Sequence, residues 1–187
     1  MRIGLLGGSF DPPHVGHLLT ASDAVEALGL DRLVLVPAAT QPLKQGQAQA
    51  TEEQRLAMVR LLVQSDQRLE VDPVEMERGG LSFTVDTLAA YAARHPGAEL
   101  VFLVGADVLQ SFSRWREPER IRALATIAVM QRGGEPAVME KGMIAVDTRR
   151  VDVSSSEIRA RVRDGLPVRG FVTDAVGDYI TAERLYR

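Results

Sequence analysis

Near-continuous apolar runs recur along the chain between segments of helical period, and this pattern limits the fold more than any other feature. Residues 2–6 (Arg-Ile-Gly-Leu-Leu), 32–36 (Arg-Leu-Val-Leu-Val), 100–104 (Leu-Val-Phe-Leu-Val), 127–130 (Ile-Ala-Val-Met) and 143–146 (Met-Ile-Ala-Val) are apolar at odd and even positions alike. Successive side chains of a strand point to opposite faces, so each run predicts a strand buried on both sides. Residues 69–71 offer a shorter strand. Helices are predicted over 15–28, from an N-cap at Thr51 through Leu56, Val59, Leu62 and Val63, over 84–93, from Ser154 or Ser155 through Ile158 and Val162 to Gly165, and over 174–183. Strands that alternate with helices in this way give an α/β fold: a doubly wound, mostly parallel sheet with helices on both faces and a small helical segment at the C-terminal end.

In such sheets ligands bind beyond the carboxyl ends of the strands, where the winding reverses, so the informative loops follow Leu6, Val36, Val104 and Met130. A length of 187 residues with 45% hydrophobic content supports one domain over 1–187, its C-terminal helical part at about 154–187. No cysteine is present, which removes disulfides, thiolate nucleophiles and cysteine-held metals and fits a reducing cytoplasm. The net charge of −3 gives no global positive field for nucleic acid or acidic membranes, and no apolar run reaches the length of a signal peptide or a membrane span. A soluble cytoplasmic protein is expected, which must hold any anion locally.

The first loop suggests where. Gly7 and Gly8 are expected to turn the backbone sharply and close to a ligand, Ser9 adds a hydroxyl, and the helix starting near Val15 would aim free N–H groups at the same place. His14 and His17, two of only three histidines, fall on one side of the first helical turn, where imidazole donors could hold phosphate oxygens. A plain Gly-Gly turn, a capping role for the histidines and a metal pair stay open at this level. Near the other end, Ser154, Ser155 and Ser156 open a helix with Arg159 one turn inside. That is a second anion cradle, or else an ordinary serine cap with a solvated arginine.

Taken whole, Gly7-Gly8-Ser9-Phe10-Asp11-Pro12-Pro13-His14-Val15-Gly16-His17 resembles the His-x-Gly-His signature of the nucleotidyltransferase superfamily. It is neither a Walker loop nor the Gly-x-Gly-x-x-Gly fingerprint. The Ser155 to Arg159 stretch is similar to the superfamily's C-terminal Ser-Ser/Thr-x-x-Arg signature. Ser82-Phe83-Thr84-Val85-Asp86-Thr87-Leu88, Gly105-Ala106-Asp107, Trp115, Tyr179-Ile180 and Leu185-Tyr186 resemble elements of the bacterial nicotinate mononucleotide adenylyltransferases. The resemblance implies a Rossmann-like fold and a catalytic set of His14, His17, Lys44 and Arg159. It further implies that Gly7, Gly8, Ser9, Phe10, His14, His17, Gly105, Asp107, Ser155, Ser156, Ile158 and Arg159 bind ATP. Lys44, Ser82, Phe83, Thr84, Trp115 and the backbone of Arg116 would hold the acceptor. Physically, a helix start at Thr84 can donate N–H groups to a carboxylate and Trp115 can face a pyridine ring. The plainer readings are a helix cap for Asp107 and a core or surface aromatic for Trp115. One departure stands out: Gln41-Pro42-Leu43-Lys44 replaces the family's frequent Pro-Pro-His-Lys, and nothing nearby supplies the missing histidine.

The implied reaction is transfer of the adenylyl group of ATP to nicotinate mononucleotide, with Mg²⁺ carried on the ATP phosphates and no metal held by the protein. Nicotinamide mononucleotide and phosphopantetheine are the rival acceptors, and a non-catalytic ATP sensor is the rival of another class. A fragment of a class I aminoacyl-tRNA synthetase shares the His-x-Gly-His logic but would need a basic face for tRNA. Neither nucleic acid nor membrane is expected as a partner, and the oligomeric state, a homo-oligomer included, is left open.

Overall fold

The computed structural model describes residues 1–42, 48–106, 109–131 and 142–187. Among the described residues six strands form one sheet: β1 (Arg2–Gly8), β2 (Arg32–Pro37), β3 (Leu69–Val71), β4 (Glu99–Gly105), β5 (Thr126–Gln131) and β6 (Met143–Asp147). Their order is β3-β2-β1-β4-β5-β6 and every neighbouring pair is parallel. The winding therefore reverses between β1 and β4, the switch point at which doubly wound sheets bind ligands.

The parity of the strand residues builds two cores. Leu33, Leu35, Val101 and Leu103 face one side, where they meet α1 (Val15–Leu28), α2 (Glu52–Val63), α7 (Ser155–Arg163) and α8 (Asp174–Ala182). Ile3, Leu5, Val34, Val36, Phe102 and Val129 face the other, against α3 (Val74–Arg78), α4 (Thr84–Arg94), α5 (Leu109–Phe112) and α6 (Pro118–Leu124). Burying each such side chain stabilises the fold by about 1.5–3 kcal/mol, which is why both faces are covered. Among the described residues no helix is long and apolar enough to cross a membrane.

Helix boundaries follow their caps. Thr51 and Gln54 form a capping box at α2, Oγ1 of Thr51 accepting from Gln54 N–H at 3.3 Å and Oε1 of Gln54 accepting from Thr51 N–H at 3.0 Å. At α7 the capping serine is Ser154, which accepts from Glu157 N–H at 3.1 Å. One expectation is corrected. Gly7 and Gly8 do not turn the chain out of the sheet after Leu6; they extend β1, pairing with Val36 and Pro37. Helices α3, α5 and α6 were not predicted, each being shorter than two full turns.

Candidate active site

The β1 loop begins where the strand ends, at Gly8, and the sharp bend falls two residues later, at Phe10, whose φ is 49°. Glycine is needed at position 8 for another reason. The Phe10 ring folds back over it, and a Cβ there would lie 2.9 Å from Phe10 Cζ. The same ring stands edge-on to His17, with centroids 5.0 Å apart. Gly105 closes β4 two residues beyond Leu103, which pairs with Leu6, so Gly8 and Gly105 stand level on adjacent strands at the switch point.

His14 is the N-cap of α1 in an extended conformation, and its backbone N–H donates to Nδ1 of His17 at 3.2 Å. That bond fixes the tautomer: with Nδ1 accepting, the neutral His17 ring carries its proton on Nε2, leaving this nitrogen as its donor. The two imidazoles lie with centroids 3.8 Å apart and a 32° tilt, and His14 is only 8% exposed. The glycine between them is dictated by this packing, since a Cβ on Gly16 would come within 2.9 Å of His14 Nδ1. Gly16→Ala should therefore raise intrinsic helix propensity yet lower turnover by roughly 10- to 100-fold, because it pushes the His14 ring out of place. Steady-state kinetics beside a thermal melt will show it; unchanged turnover would mean that the ring moves harmlessly.

The expected set of free N–H groups at α1 is smaller than the sequence suggested. Val15 N–H already donates to Phe171 O at 3.0 Å, and the N–H groups of His17 and Leu18 return to His14 O. An anion held in this loop would meet side chains more than the helix start.

The second motif is bonded directly to the first. Ser155 Oγ donates to Pro12 O at 2.8 Å, while Arg159 Nη1 donates to Asp11 O at 2.7 Å and its Nη2 to Ser156 Oγ at 3.2 Å. Arg159 is thus a structural tie and not a solvated arginine. Ile158, carried over as an ATP-binding residue, is fully buried in the core, so only its main chain can face a ligand. A cleft of about 390 Å³ opens between the loops, lined among others by Ser9, Asp11, Arg55, Ser155, Ser156 and Arg159. His14 and His17 do not line it; they stand just beyond Asp11, at the cap and in the first turn of α1.

Two residues in this cleft carry roles that sequence reasoning missed. Asp11 was read only as part of the string, yet its buried carboxylate accepts backbone N–H bonds from Gln49 at 2.8 Å and Ala50 at 3.1 Å. Arg55 is 2% exposed and donates through Nη1 to Ser9 O at 2.8 Å and Ala38 O at 2.7 Å, and through Nη2 to Ala39 O at 3.1 Å. Burial lowers the pKa of this guanidinium from its usual value, and the nearby Asp11 carboxylate opposes that shift. The signal was present in the helix pattern: positions 55, 58, 59 and 62 share one stripe, so the arginine lies on the apolar face.

Of the residues expected to hold the acceptor, Phe83 and Trp115 pack against the core on the opposite face of the sheet. Ser82 is fastened to the segment after β2, its Oγ accepting from Ala39 N–H at 3.0 Å and its N–H donating to Thr40 O at 2.9 Å. Phe83 caps α4 with extended backbone, Thr84 opens the helix, and the Arg116 guanidinium lies 4.9 Å from the Phe83 ring centre. Trp115 is half-buried against Phe112 and Phe102, at centroid distances of 5.4 and 6.1 Å, within the same core cluster as Phe83. Beneath them Glu75, which was also missed, accepts from Thr87 Oγ1 at 2.6 Å. Burial pushes its carboxyl above the usual range, and that hydrogen bond pulls the other way. Lys44 and Asp107, like the Leu43 departure, lie outside the described residues.

Comparison with known proteins gives this arrangement a lineage. Residues 5–161 match the cytidylyltransferase-like family. The chain is 52% identical to a Gemmatimonas aurantiaca protein named "probable nicotinate-nucleotide adenylyltransferase", covering 100% of this chain and 93% of that one. It is 44% identical to a protein of the same name from Thermus thermophilus, with full coverage of both. Among solved structures it is similar to Plasmodium falciparum nicotinic acid mononucleotide adenylyltransferase complexed with NaAD, at a TM-score of 0.78 and 19% identity over 99% of this chain and 97% of that one. The last likeness shows the shared fold, and the full-length identities show the descent. The chain belongs to the cytidylyltransferase-like nucleotidyltransferases and, within them, to the family of nicotinate-nucleotide adenylyltransferases.

Proposed function

We propose that this protein transfers the adenylyl group of ATP to nicotinate mononucleotide, forming deamido-NAD and pyrophosphate. One observation carries the site assignment: two phosphate-type motifs, with Asp11 and Arg159 148 residues apart, are hydrogen-bonded to each other beside the switch point of the sheet. The full-length likeness to nicotinate-nucleotide adenylyltransferases supports the choice of acceptor.

In the reaction an acceptor phosphate oxygen bonds to the α-phosphorus of ATP while the bond from that phosphorus to the β-phosphate bridging oxygen breaks. Pyrophosphate leaves with the electron pair. The nucleophile is already ionised at neutral pH, so neither a protein nucleophile nor a general base is required. Catalysis comes from alignment and from donors aimed at the spreading negative charge. His17 Nε2 and His14 are assigned to the reacting phosphate, and Ser9, Ser155, Ser156 and Arg159 to the rest of the chain of phosphates. Lys44 is assigned to a phosphate and Asp107 to the adenosine, on the family pattern alone. ATP enters as its Mg²⁺ complex, the ion held by the phosphates. The backbone N–H groups at the start of the helix opened by Thr84 and the Trp115 face are assigned to the nicotinate, with Ser82, Phe83 and Arg116 framing them. We place the reaction in the cytoplasm, on one unit spanning the chain.

Pyrophosphate release from ATP with a panel of acceptors tests this directly. Turnover with nicotinate mononucleotide should exceed that with the amide or with phosphopantetheine by at least about tenfold, because a helix start that donates to a carboxylate gains less from a neutral group. A preference for the amide would overturn the acceptor, and no release with any acceptor would favour an ATP-binding sensor.

A further inference from the structure

Asp11 and Tyr186 form a buried pair to which the reaction above gives no part. The Tyr186 hydroxyl donates to Asp11 Oδ1 at 2.7 Å, beside the two backbone N–H groups of Gln49 and Ala50 already on that carboxylate. Asp11 also accepts Arg159 Nη1 on its carbonyl, and the next residue, Pro12, accepts Ser155 Oγ. One residue thereby gathers the β1 loop, the lead into α2, the start of α7 and the segment after α8. Asp11, Ala50, Ser155 and Arg159 all line the cleft.

The backbone around the pair is unusual. Arg184 and Tyr186 have φ values of 54° and 63°, and Phe10, immediately before Asp11, has 49°. Residues other than glycine rarely enter this left-handed region, and they remain there only when surrounding contacts hold them. Here the chain bends twice and ends with the ring 7% exposed and the hydroxyl on Asp11. Burial and the adjacent carboxylate raise the phenol far above its ordinary pKa, which keeps it a donor.

We propose that Tyr186 is a positioning residue for adenylyl transfer: its hydroxyl holds the Asp11 carboxylate, and Asp11 in turn sets the loop and the Arg159 guanidinium that receive the ATP phosphates. The proposal rests on the nucleotide reading of this cleft. Without the hydroxyl, Asp11 Oδ1 keeps only Ala50 N–H, and the loop loses its anchor beneath the cleft. Phe83 and Trp115 pack in the other core cluster, and Ser82 is fastened to Ala39 with no bond to this pair, so the effect should fall on ATP.

The test is Tyr186→Phe, with a matched control elsewhere. Tyr91 is buried too, and its hydroxyl donates to Asp72 Oδ2 at 2.6 Å in the other core cluster, away from the cleft. Both variants lose one phenol-to-carboxylate bond, buried at Asp11 and part-buried at Asp72. In Tyr186→Phe, kcat/KM for ATP should fall about tenfold while KM for nicotinate mononucleotide stays within about twofold; Tyr91→Phe should keep both constants. Asp11→Asn should repeat the ATP-selective loss. Wild-type constants in Tyr186→Phe or Asp11→Asn, or equal losses for both substrates, would overturn the proposal. Failure of both variants to fold would make the pair a purely structural bond and overturn it as well. Calorimetric binding of ATP alone reads the same contact without the acceptor, and should weaken in Tyr186→Phe but not in Tyr91→Phe. If the wild-type protein does not turn over nicotinate mononucleotide, the functional reading fails while ATP binding still decides the role of Tyr186.

Discussion

Replacing His17 with alanine should lower turnover by about 10²–10³-fold, the usual cost of removing one donor that meets charge developing in a transition state. The structure separates this loss from any loss of fold. His17 has two jobs: Nδ1 accepts the N–H of the His14 cap at 3.2 Å, and Nε2 is left as the donor. Loss of the capping bond costs about 0.5–2 kcal/mol, or a few degrees of melting temperature at this size. His17→Asn supplies the control. An amide at this position can still accept from His14 N–H, so stability should return towards wild type while turnover stays low. Stopped or steady-state assays of pyrophosphate release, paired with thermal melts, will check both variants. Wild-type turnover in His17→Ala would remove the histidine pair from the mechanism.

Arg55→Met should destabilise the fold by roughly 3–5 kcal/mol, because three carbonyls, those of Ser9, Ala38 and Ala39, lose their donor together in a buried setting. For a chain of this length that corresponds to a fall of roughly 6–20 °C in melting temperature. Methionine retains most of the volume, so the loss reports the hydrogen bonds more than a cavity. Arg55→Lys keeps the charge but not the planar fork, and should fall between the two. Thermal and urea melts give the comparison. A methionine variant as stable as wild type would mean that water replaces the guanidinium at all three carbonyls. Because Ala39 N–H also binds Ser82 Oγ, the same guanidinium braces the segment to which Ser82 is fastened.

The sheet was legible because its strands are apolar on both faces, a pattern that few other folds demand. Helices long enough to repeat a 3.6-residue period were legible too. Helices α3, α5 and α6 were not, since five, four and seven residues are too few to show a period, and such pieces form only where tertiary packing holds them. Gly7 and Gly8 misled for a similar reason: glycine usually weakens a strand, but here pairing with β2 and the demand of the Phe10 ring decide. In the site, motif residues could be named but not their bonds. Arg159 reads as an anion ligand or a solvated arginine, and neither reading shows its tie to Asp11; Arg55 is not singled out at all, because its charge hides its place on the apolar stripe. Tyr186 entered only through resemblance, for no local pattern reveals a contact 175 residues away.

The bonds across that distance also order events in time. A chain is made from its N-terminus, at about 5–20 residues per second. The Asp11 carbonyl leads Arg159 by 148 residues, so synthesis separates the two by roughly 7–30 s. During this interval a nascent chain already carries both histidines and the glycines, yet lacks the serines, the arginine and the tyrosine that hold their loop. One wall of the cleft is therefore missing from the growing polypeptide, and the nucleotide grip proposed for it arrives late, with residues 155–186.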